Sequence, residues 1–547
     1  MSGSTVTTLD RLIAGRPAAP AIRNDTGVIS RGALRDAAAA MAAALHQRGL
    51  RRGDAVGIWL PEGPAWLQTL FAAARLGLFL VPVSTRYTER EAAHALTVAG
   101  ARAIVTTDRF LDIPFAEMVD ALRPHLPALE HVIIIQDSQR LHPAREGCGG
   151  VAAAHPGGDG FDDAITASSA VAGGSSDAAA LRADDRAFPL VCFSTSGTTG
   201  LPKLAAHGQA SIARHAWAAA QAFDIGPDDA MLCALPFYGV FGFMTALAAL
   251  AGGACCTIQP VFDGEHAAAA FGDGITHFIG SDAMYDAIFD RAGARFETLR
   301  RGGIADFVGR AAHWVSTLER RHGARISGLY GSSECYALMA MRDPQAPAAQ
   351  RAIGGGRVVD PEIEIRVRDP RTGQPCAVGQ AGELWVRGPN VLSAYVNNPQ
   401  ASERAIDPDG WFRTGDLCAL DGEDSFTYYA RLNDGLRMSG YLVDPAEIER
   451  WLCEHPGIAA AQVVGVRTAG QGDRAVAFVV PVAGSPTDLP AWEAHCRAGL
   501  AAFKRPARIV AIDAFPVVNG PNGAKIQKAV LRERAAGLLA AEGPSRS

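Results

Sequence analysis

Apolar residues along the first part of the chain switch between two spacings. Residues 31–48 and 66–76 carry alanines and leucines at helical intervals. Residues 55–60, 78–83, 104–106 and 131–135 are short apolar runs of the kind a buried strand needs. Helices set between strands predict a doubly wound, mostly parallel sheet covered on both faces, and hence a large α/β N-terminal domain. Residues 147–185 are rich in Gly, Ala, Ser and Asp without lasting period and read as a flexible surface loop. Another buried strand, 188–193, follows. Near the end of the chain, 463–466 and 475–480 read as strands and 489–500 as a helix, which predicts a small α+β domain.

One stretch needs its own account. Residues 230–262 contain no charge and are long enough by count to span a bilayer. Pro236, Gly239, Gly242, Gly252, Gly253 and Pro260 break that stretch into a loop, a buried helix over 243–251 and a strand over 255–258. No membrane span is expected.

Composition narrows the class. A chain of 547 residues is too long for one core, so two or more domains are expected. The apolar fraction of 48% and charged fraction of 20% are ordinary for a globular protein. A net charge of −6 leaves no basic footprint for nucleic acid. The ten cysteines show no C-x-x-C pair and no regular spacing, so neither a zinc site nor a disulfide framework is indicated. Reduced thiols in a cytoplasmic enzyme are expected, and residues 1–8 lack the basic and apolar regions of a signal peptide.

The chemistry is concentrated in Ser194-Thr195-Ser196-Gly197-Thr198-Thr199-Gly200-Leu201-Pro202-Lys203, directly after the apolar strand. Glycines let several backbone N–H groups turn toward one anion, the hydroxyls add donors, and Lys203 adds a mobile positive charge. This is a loop for phosphate, although the Walker A spacing is absent. Its string resembles the phosphate loop of the adenylate-forming (ANL) superfamily, which includes AMP-dependent acyl- and aryl-CoA synthetases, peptide-synthetase adenylation domains and luciferases.

Further strings resemble that family in the same order. Leu235-Pro236-Phe237-Tyr238-Gly239-Val240-Phe241-Gly242 is similar to the segment lining the acyl pocket, with Gly239 where relatives often place a histidine or aromatic residue. Gly302-Gly303 stands where the family lays backbone against adenine. Tyr330-Gly331-Ser332-Ser333-Glu334 implies a tyrosine stacked on adenine, hydroxyls on the phosphates and a glutamate on Mg²⁺. A lone carboxylate beside polyphosphate needs a cation between them, and Mg²⁺ is commonly held by one or two carboxylates plus phosphates. Asp416, in Trp411-Phe412-Arg413-Thr414-Gly415-Asp416, and Arg431 would meet the ribose. Asn433 falls at the family's pivot, which divides the chain into an adenylation domain, 1–432, and a mobile C-terminal domain, 433–547. Ser439, Gly440 and Tyr441 resemble the thiol tunnel, and Lys525 in Asn522-Gly523-Ala524-Lys525 matches the catalytic lysine, with Lys528 as a secondary basic position.

The resemblance implies an ATP-dependent acid–thiol ligase. A carboxylate attacks the ATP α-phosphate, pyrophosphate leaves, and a thiol displaces AMP from the acyl-adenylate. Lys203, Glu334 and Lys525 would be catalytic. Expected partners are ATP, Mg²⁺, an aryl or aliphatic carboxylic acid, and CoA. A carrier-protein thiol is the alternative acceptor, and a homodimer stays open. The pocket segment contains no acid, which disfavours an amino-acid substrate. A luciferase-like oxygenase has no separate signal, and a catalytically silent nucleotide-binding regulator is disfavoured by the intact Lys203, Glu334, Asp416, Arg431 and Lys525.

Overall fold

The computed structural model describes residues 9–140, 159–160, 189–195, 202–291, 296–307, 309–432, 436–438, 441–443, 445–468, 472–500, 504–520 and 523–540. The first expected helix runs Arg31–Gln47 and starts where the Ser30 side chain accepts from Ala33 N. It buries Leu34, Ala38, Met41 and Leu45, spaced to fall on one face. The second, Pro64–Leu76, opens on a proline and closes at Gly77 in the left-handed conformation, φ 67°. Helix Val240–Gly252 is buried all round from Val240 to Ala251. At 13 residues it is a core helix, too short for the ~20 residues a bilayer asks. Among the described residues no helix is long and apolar enough to cross a membrane.

Two large sheets carry the N-terminal part. One runs in the order Ala394–Tyr395, Lys203–Gly208, Pro189–Thr195, Phe79–Pro82, Ala55–Trp59, Ala103–Thr107, His131–Ile135, Asp159–Gly160. From Pro189–Thr195 outward to Asp159–Gly160 its pairs are parallel. Lys203–Gly208 folds back antiparallel on Pro189–Thr195, with Thr195 opposite Lys203. The second sheet has a parallel centre, Ala230–Cys233, His277–Ser281, Arg301–Ala305 and Arg325–Ser332. Antiparallel strands extend it through Tyr336–Met341, Gly355–Val358, Ser425–Arg431, Phe412–Leu420, Gly382–Arg387 and Glu364–Arg368. The mostly parallel expectation thus holds for the centres of both sheets, while the second grows a long antiparallel wing. Of the expected loop 147–185, only Asp159–Gly160 lies within the described residues, paired with His131–Ile135.

From Leu436 onward the strands form separate sheets. Tyr441–Val443, Leu436–Met438, Gly472–Pro481 and Ile458–Thr468 lie side by side, with Arg508–Ala511 parallel to Gly472–Pro481. Val517–Gly520 and Gly523–Ile526 make a hairpin of their own. Ile448, Leu452, Val463, Ala477 and Trp492 belong to a core drawn only from this part of the chain. Helix Leu489–Gly499 fits the expectation for 489–500. The nine described cysteines are all free thiols.

Gly302 and Gly303 sit inside the strand Arg301–Ala305, and packing explains both. A Cβ on Gly302 would stand 2.5 Å from the Phe278 carbonyl oxygen and 2.8 Å from the Tyr285 hydroxyl. One on Gly303 would meet Leu329 at 2.7 Å. Gly302→Ala is therefore expected to destabilise the sheet by about 1–3 kcal/mol, the usual cost of overpacking. A lowered thermal midpoint would check it, and an unchanged one would show that the sheet gives way freely.

Candidate active site

Parallel strands expose their carboxyl ends on one edge, where open α/β sheets place ligands. Thr195 ends its strand on that edge, and Tyr330 lies near the end of Arg325–Ser332. Ser194 and Thr195 are described, and the buried Thr195 Oγ1 has no hydrogen-bond partner among the described residues. Ser196, Gly197, Thr198, Thr199 and Gly200 lie outside the described residues, as do Asn433, Ser439 and Gly440.

Lys203 and Glu334 are joined by a residue the sequence reading missed. Tyr395 donates its hydroxyl to Glu334 Oε1 at 3.0 Å. Lys203 Nζ lies 4.2 Å above the centre of the same ring. The antiparallel pairing of Ala394–Tyr395 with Lys203–Gly208 sets this up. Leu392 N also donates to the Glu334 carbonyl at 2.7 Å, and the Asn390 side chain to the Cys335 carbonyl at 3.0 Å. Glu334 Oε2 accepts no described hydrogen bond. A hard carboxylate oxygen of this kind is a fitting partner for Mg²⁺ shared with phosphate.

The 330–334 turn is braced from behind. Ser332 Oγ accepts from Glu334 N at 3.2 Å. A Cβ on Gly331 would meet the Tyr336 carbonyl oxygen at 2.4 Å, so only glycine fits. His207 Nε2 meets the Ser333 carbonyl at 2.7 Å, as its donor. Its ring stacks on Tyr336 at 4.2 Å, and His215 lies 5.0 Å away on the same ring. Ser211 hydrogen-bonds the Tyr336 hydroxyl at 2.8 Å. Burial pushes both histidines down to about 4, so they are neutral at ordinary pH.

Asp416 forms the second half of the site. Tyr330 donates its hydroxyl to Asp416 Oδ2 at 2.5 Å, and the ring packs edge-on against Phe426 at 5.1 Å. Arg431 Nη1 is 3.2 Å from Asp416 Oδ1 and 3.0 Å from the Thr414 carbonyl. Beyond that ion pair, Asp416 Oδ1 is buried with no hydrogen bond among the described residues, an acceptor suited to a hydroxyl. Burial pushes the Asp416 carboxyl up to about 6, against the pull of Arg431 and Tyr330 and with a further push from Glu334. Burial would lower Arg431, but Asp416 and its neighbours hold it above its usual value.

In the acyl-pocket segment Phe237, Tyr238, Val240 and Phe241 are buried. Gly239 precedes the helix Val240–Gly252. A Cβ on Gly242 would meet the Leu235 and Pro236 carbonyl oxygens at 2.4 Å. The segment has no acid of its own, yet one reaches it from elsewhere. Buried Glu62 accepts from Phe237 N at 3.3 Å, and burial pushes its carboxyl up to about 7. In the C-terminal part, the backbone of Lys525 lies opposite Val518, and its strand Gly523–Ile526 rests against the helix Asp282–Phe289. Tyr441 begins a short strand, with its backbone opposite Met438. Lys528 Nζ is 3.8 Å from the half-buried Glu449, a partner in its own domain.

Residues 9–396 match the model of the AMP-binding enzyme family, and 447–519 match the AMP-binding enzyme C-terminal domain. The chain belongs to the AMP-binding enzymes. Within that family it is an AMP-forming acid–thiol ligase. It is 33% identical over 536 residues to a 3-(7a-methyl-1,5-dioxo-octahydro-1H-inden-4-yl)propanoyl:CoA ligase of Mycobacterium tuberculosis, covering 96% of this chain and 97% of that protein. Identity to a mitochondrial medium-chain acyl-CoA ligase of Mus musculus is 28% over 510 residues, 90% of this chain and 81% of the relative. In fold it resembles ATP-bound MatB from Rhodopseudomonas palustris, with a TM-score of 0.81 at 23% identity, covering 97% and 100% of the two chains.

If ribose hydroxyls donate to Asp416, the ionised form is the one that binds. ATP affinity is then expected to be level above pH about 6 and to fall below it, by up to about tenfold per unit. Folding moves the other way. A carboxyl raised above its unfolded value costs stability at neutral pH, and that cost is relieved as pH falls through about 6. Calorimetric titration from pH 5 to 8 checks the step, and Asp416→Asn should abolish it. A level profile in the natural chain would refute the role.

Proposed function

We propose that this chain is an ATP-dependent carboxylic acid–CoA ligase that works through an acyl-adenylate, releasing pyrophosphate and then AMP. The observation that carries this reading is the meeting of Lys203 and Glu334 on Tyr395, with Asp416 and Arg431 near enough to feel Glu334. A carboxylate is a poor electrophile because its leaving group would be oxide. Transfer to the α-phosphate makes a mixed anhydride whose leaving group is AMP. Two anions must approach each other in that step, so catalysis is mainly positioning and charge screening. Lys203 offers a cation to the phosphates, Asp416 and Arg431 hold the ribose, and Tyr330 fixes Asp416. Mg²⁺, shared by Glu334 and the phosphates, would supply further screening.

The substrate we assign is an apolar, non-amino carboxylic acid. The buried aromatic and aliphatic wall Phe237–Phe241 supports this, and the relatives named above act on a fused-ring propanoyl acid and on medium-chain acids. Glu62 is already engaged by Phe237 N and is buried, so it steadies the pocket wall rather than receiving an ammonium. Gly239 stands where relatives often place a histidine or aromatic residue, and on this reading it would leave the pocket wider there. Gly239→Phe is expected to shift preference toward smaller acids while ATP affinity stays the same. Competition among acids of graded size reads this, and an unchanged profile would place Gly239 outside the pocket.

The C-terminal domain, 433–547, would alternate between two docked positions about Asn433. In one, Lys525 bridges carboxylate and α-phosphate. In the other, the Ser439–Gly440–Tyr441 segment admits the thiol. Both cannot occupy one place, so a hinge rotation separates the half-reactions. The strand of Lys525 against Asp282–Phe289 favours the first docking. Lys525→Ala is expected to abolish acyl-AMP formation, measured as pyrophosphate release, yet to make acyl-CoA from supplied acyl-AMP at near the natural rate. Equal damage to both steps would make the lysine structural. Thioester formed with a carrier protein and none with CoA would overturn the choice of acceptor.

A further inference from the structure

Lys203 and Glu334 carry opposite charges into one small site, and among the described contacts they form no ion pair with each other. Tyr395 stands between them. It is 4% exposed and holds each by a different part of the ring. The hydroxyl engages Glu334 Oε1 at 3.0 Å and the π face lies 4.2 Å beneath Lys203 Nζ. The two contacts reinforce each other. Donation to a carboxylate enriches the ring in electrons, which strengthens its hold on an ammonium. Residues on both sides clamp the tyrosine to the two motifs. Val396 N donates to the Leu204 carbonyl at 2.9 Å, Ser393 N to the Ala206 carbonyl at 2.8 Å, and Leu392 N to the Glu334 carbonyl at 2.7 Å.

We propose that Tyr395 is a positioning residue that keeps Lys203 and Glu334 from neutralising each other before nucleotide arrives. A direct lysine–glutamate pair would hide the cation from phosphate and the carboxylate from metal. With the ring interposed, each charge is satisfied by a neutral group that yields it cheaply. Tyr395 also holds Oε1 of Glu334 and so presents Oε2. This inference rests on the nucleotide-site reading of Lys203 and Glu334.

The test is calorimetric titration of the full-length chain with ATP, without carboxylic acid, in the presence and absence of Mg²⁺. Tyr395→Phe keeps the ring and loses the hydroxyl. It is expected to hold metal-free ATP affinity within about twofold of the natural chain while reducing the gain on adding Mg²⁺ by about three- to tenfold, the worth of one hydrogen bond. Tyr395→Leu loses both contacts and lets the charges pair, so metal-free ATP affinity should fall about tenfold. In a Glu334→Gln background the same Tyr395→Leu change should cost less than about twofold, because no carboxylate remains to capture Lys203. An equal cost in both backgrounds would make Tyr395 merely structural and overturn the proposal. A full Mg²⁺ gain in Tyr395→Phe would overturn it too, and this arm decides if Tyr395→Leu fails to fold. Failure of the natural chain to bind ATP at all would overturn the proposed function, and this inference with it.

Discussion

A site for polyphosphate must hold cations and carboxylates within a few ångströms without letting them cancel. In the site proposed for this chain, strand register would meet that constraint. Ala394 pairs with Ala206 and Tyr395 with Ala205 on the strand that begins at Lys203. Successive strand residues face opposite sides, so a slip of one position would turn Tyr395 away from both Lys203 and Glu334. Leu392 and Asn390 then fasten the same segment to Glu334 and Cys335. The contacts come from three distant parts of the chain, and they meet only because both large sheets are complete. The first sheet carries Lys203 and Tyr395, and the second carries the turn that ends in Glu334.

The turn is held in place at some conformational cost. Tyr336 and Leu338 both have φ of 63°, a region that costs a non-glycine residue on the order of 1–3 kcal/mol. Surrounding contacts offset it. Tyr336 is fully buried between His207 and His215, with Ser211 on its hydroxyl, and His215 Nε2 also meets the Ala337 carbonyl at 2.8 Å. Because burial keeps both imidazoles neutral, the brace adds no charge beside the proposed phosphate site. Their Nδ1 atoms are buried without partners among the described residues, which is a further cost of that neutrality. The strain sits in the first three residues of the strand Tyr336–Met341, next to the Tyr330–Glu334 turn.

Much of this was legible in the sequence. The strand over 131–135 and the helices near 31–48 and 66–76 stand where periodicity puts them, because one-sided burial leaves its mark on spacing. Tyr330 and Arg431, both singled out in the sequence, meet on Asp416. Other parts could not be read. Tyr395 touches Glu334 across 61 residues, His207 reaches Ser333 across 126, and Glu62 reaches Phe237 across 175. No local pattern encodes such pairs. Tyr395 lies just before Asn397-Asn398-Pro399, an ordinary turn signal that says nothing of its partners. The absence of an acid in 237–243 also proved a weak discriminator, since tertiary structure delivers Glu62 to that segment. Gly302 and Gly303 show the converse case, in which sheet packing accounts for a glycine pair that resemblance assigned to adenine.

The small domain follows from the same bookkeeping of cores. Its buried residues from Leu436 to Ile509 pack among themselves, and none of its strands joins the two larger sheets among the described residues. Moving such a unit disturbs an interface rather than a core, and interfaces of that kind within a chain resemble transient ones. Lys525 lies on a hairpin whose apolar Val517 and Val518 are 51% and 48% exposed. Those side chains are not needed to complete the domain's own core. On the proposed reading, a lysine carried on such a hairpin could approach or leave the nucleotide without unfolding anything, which would be the physical premise of a site assembled twice from one set of fixed residues.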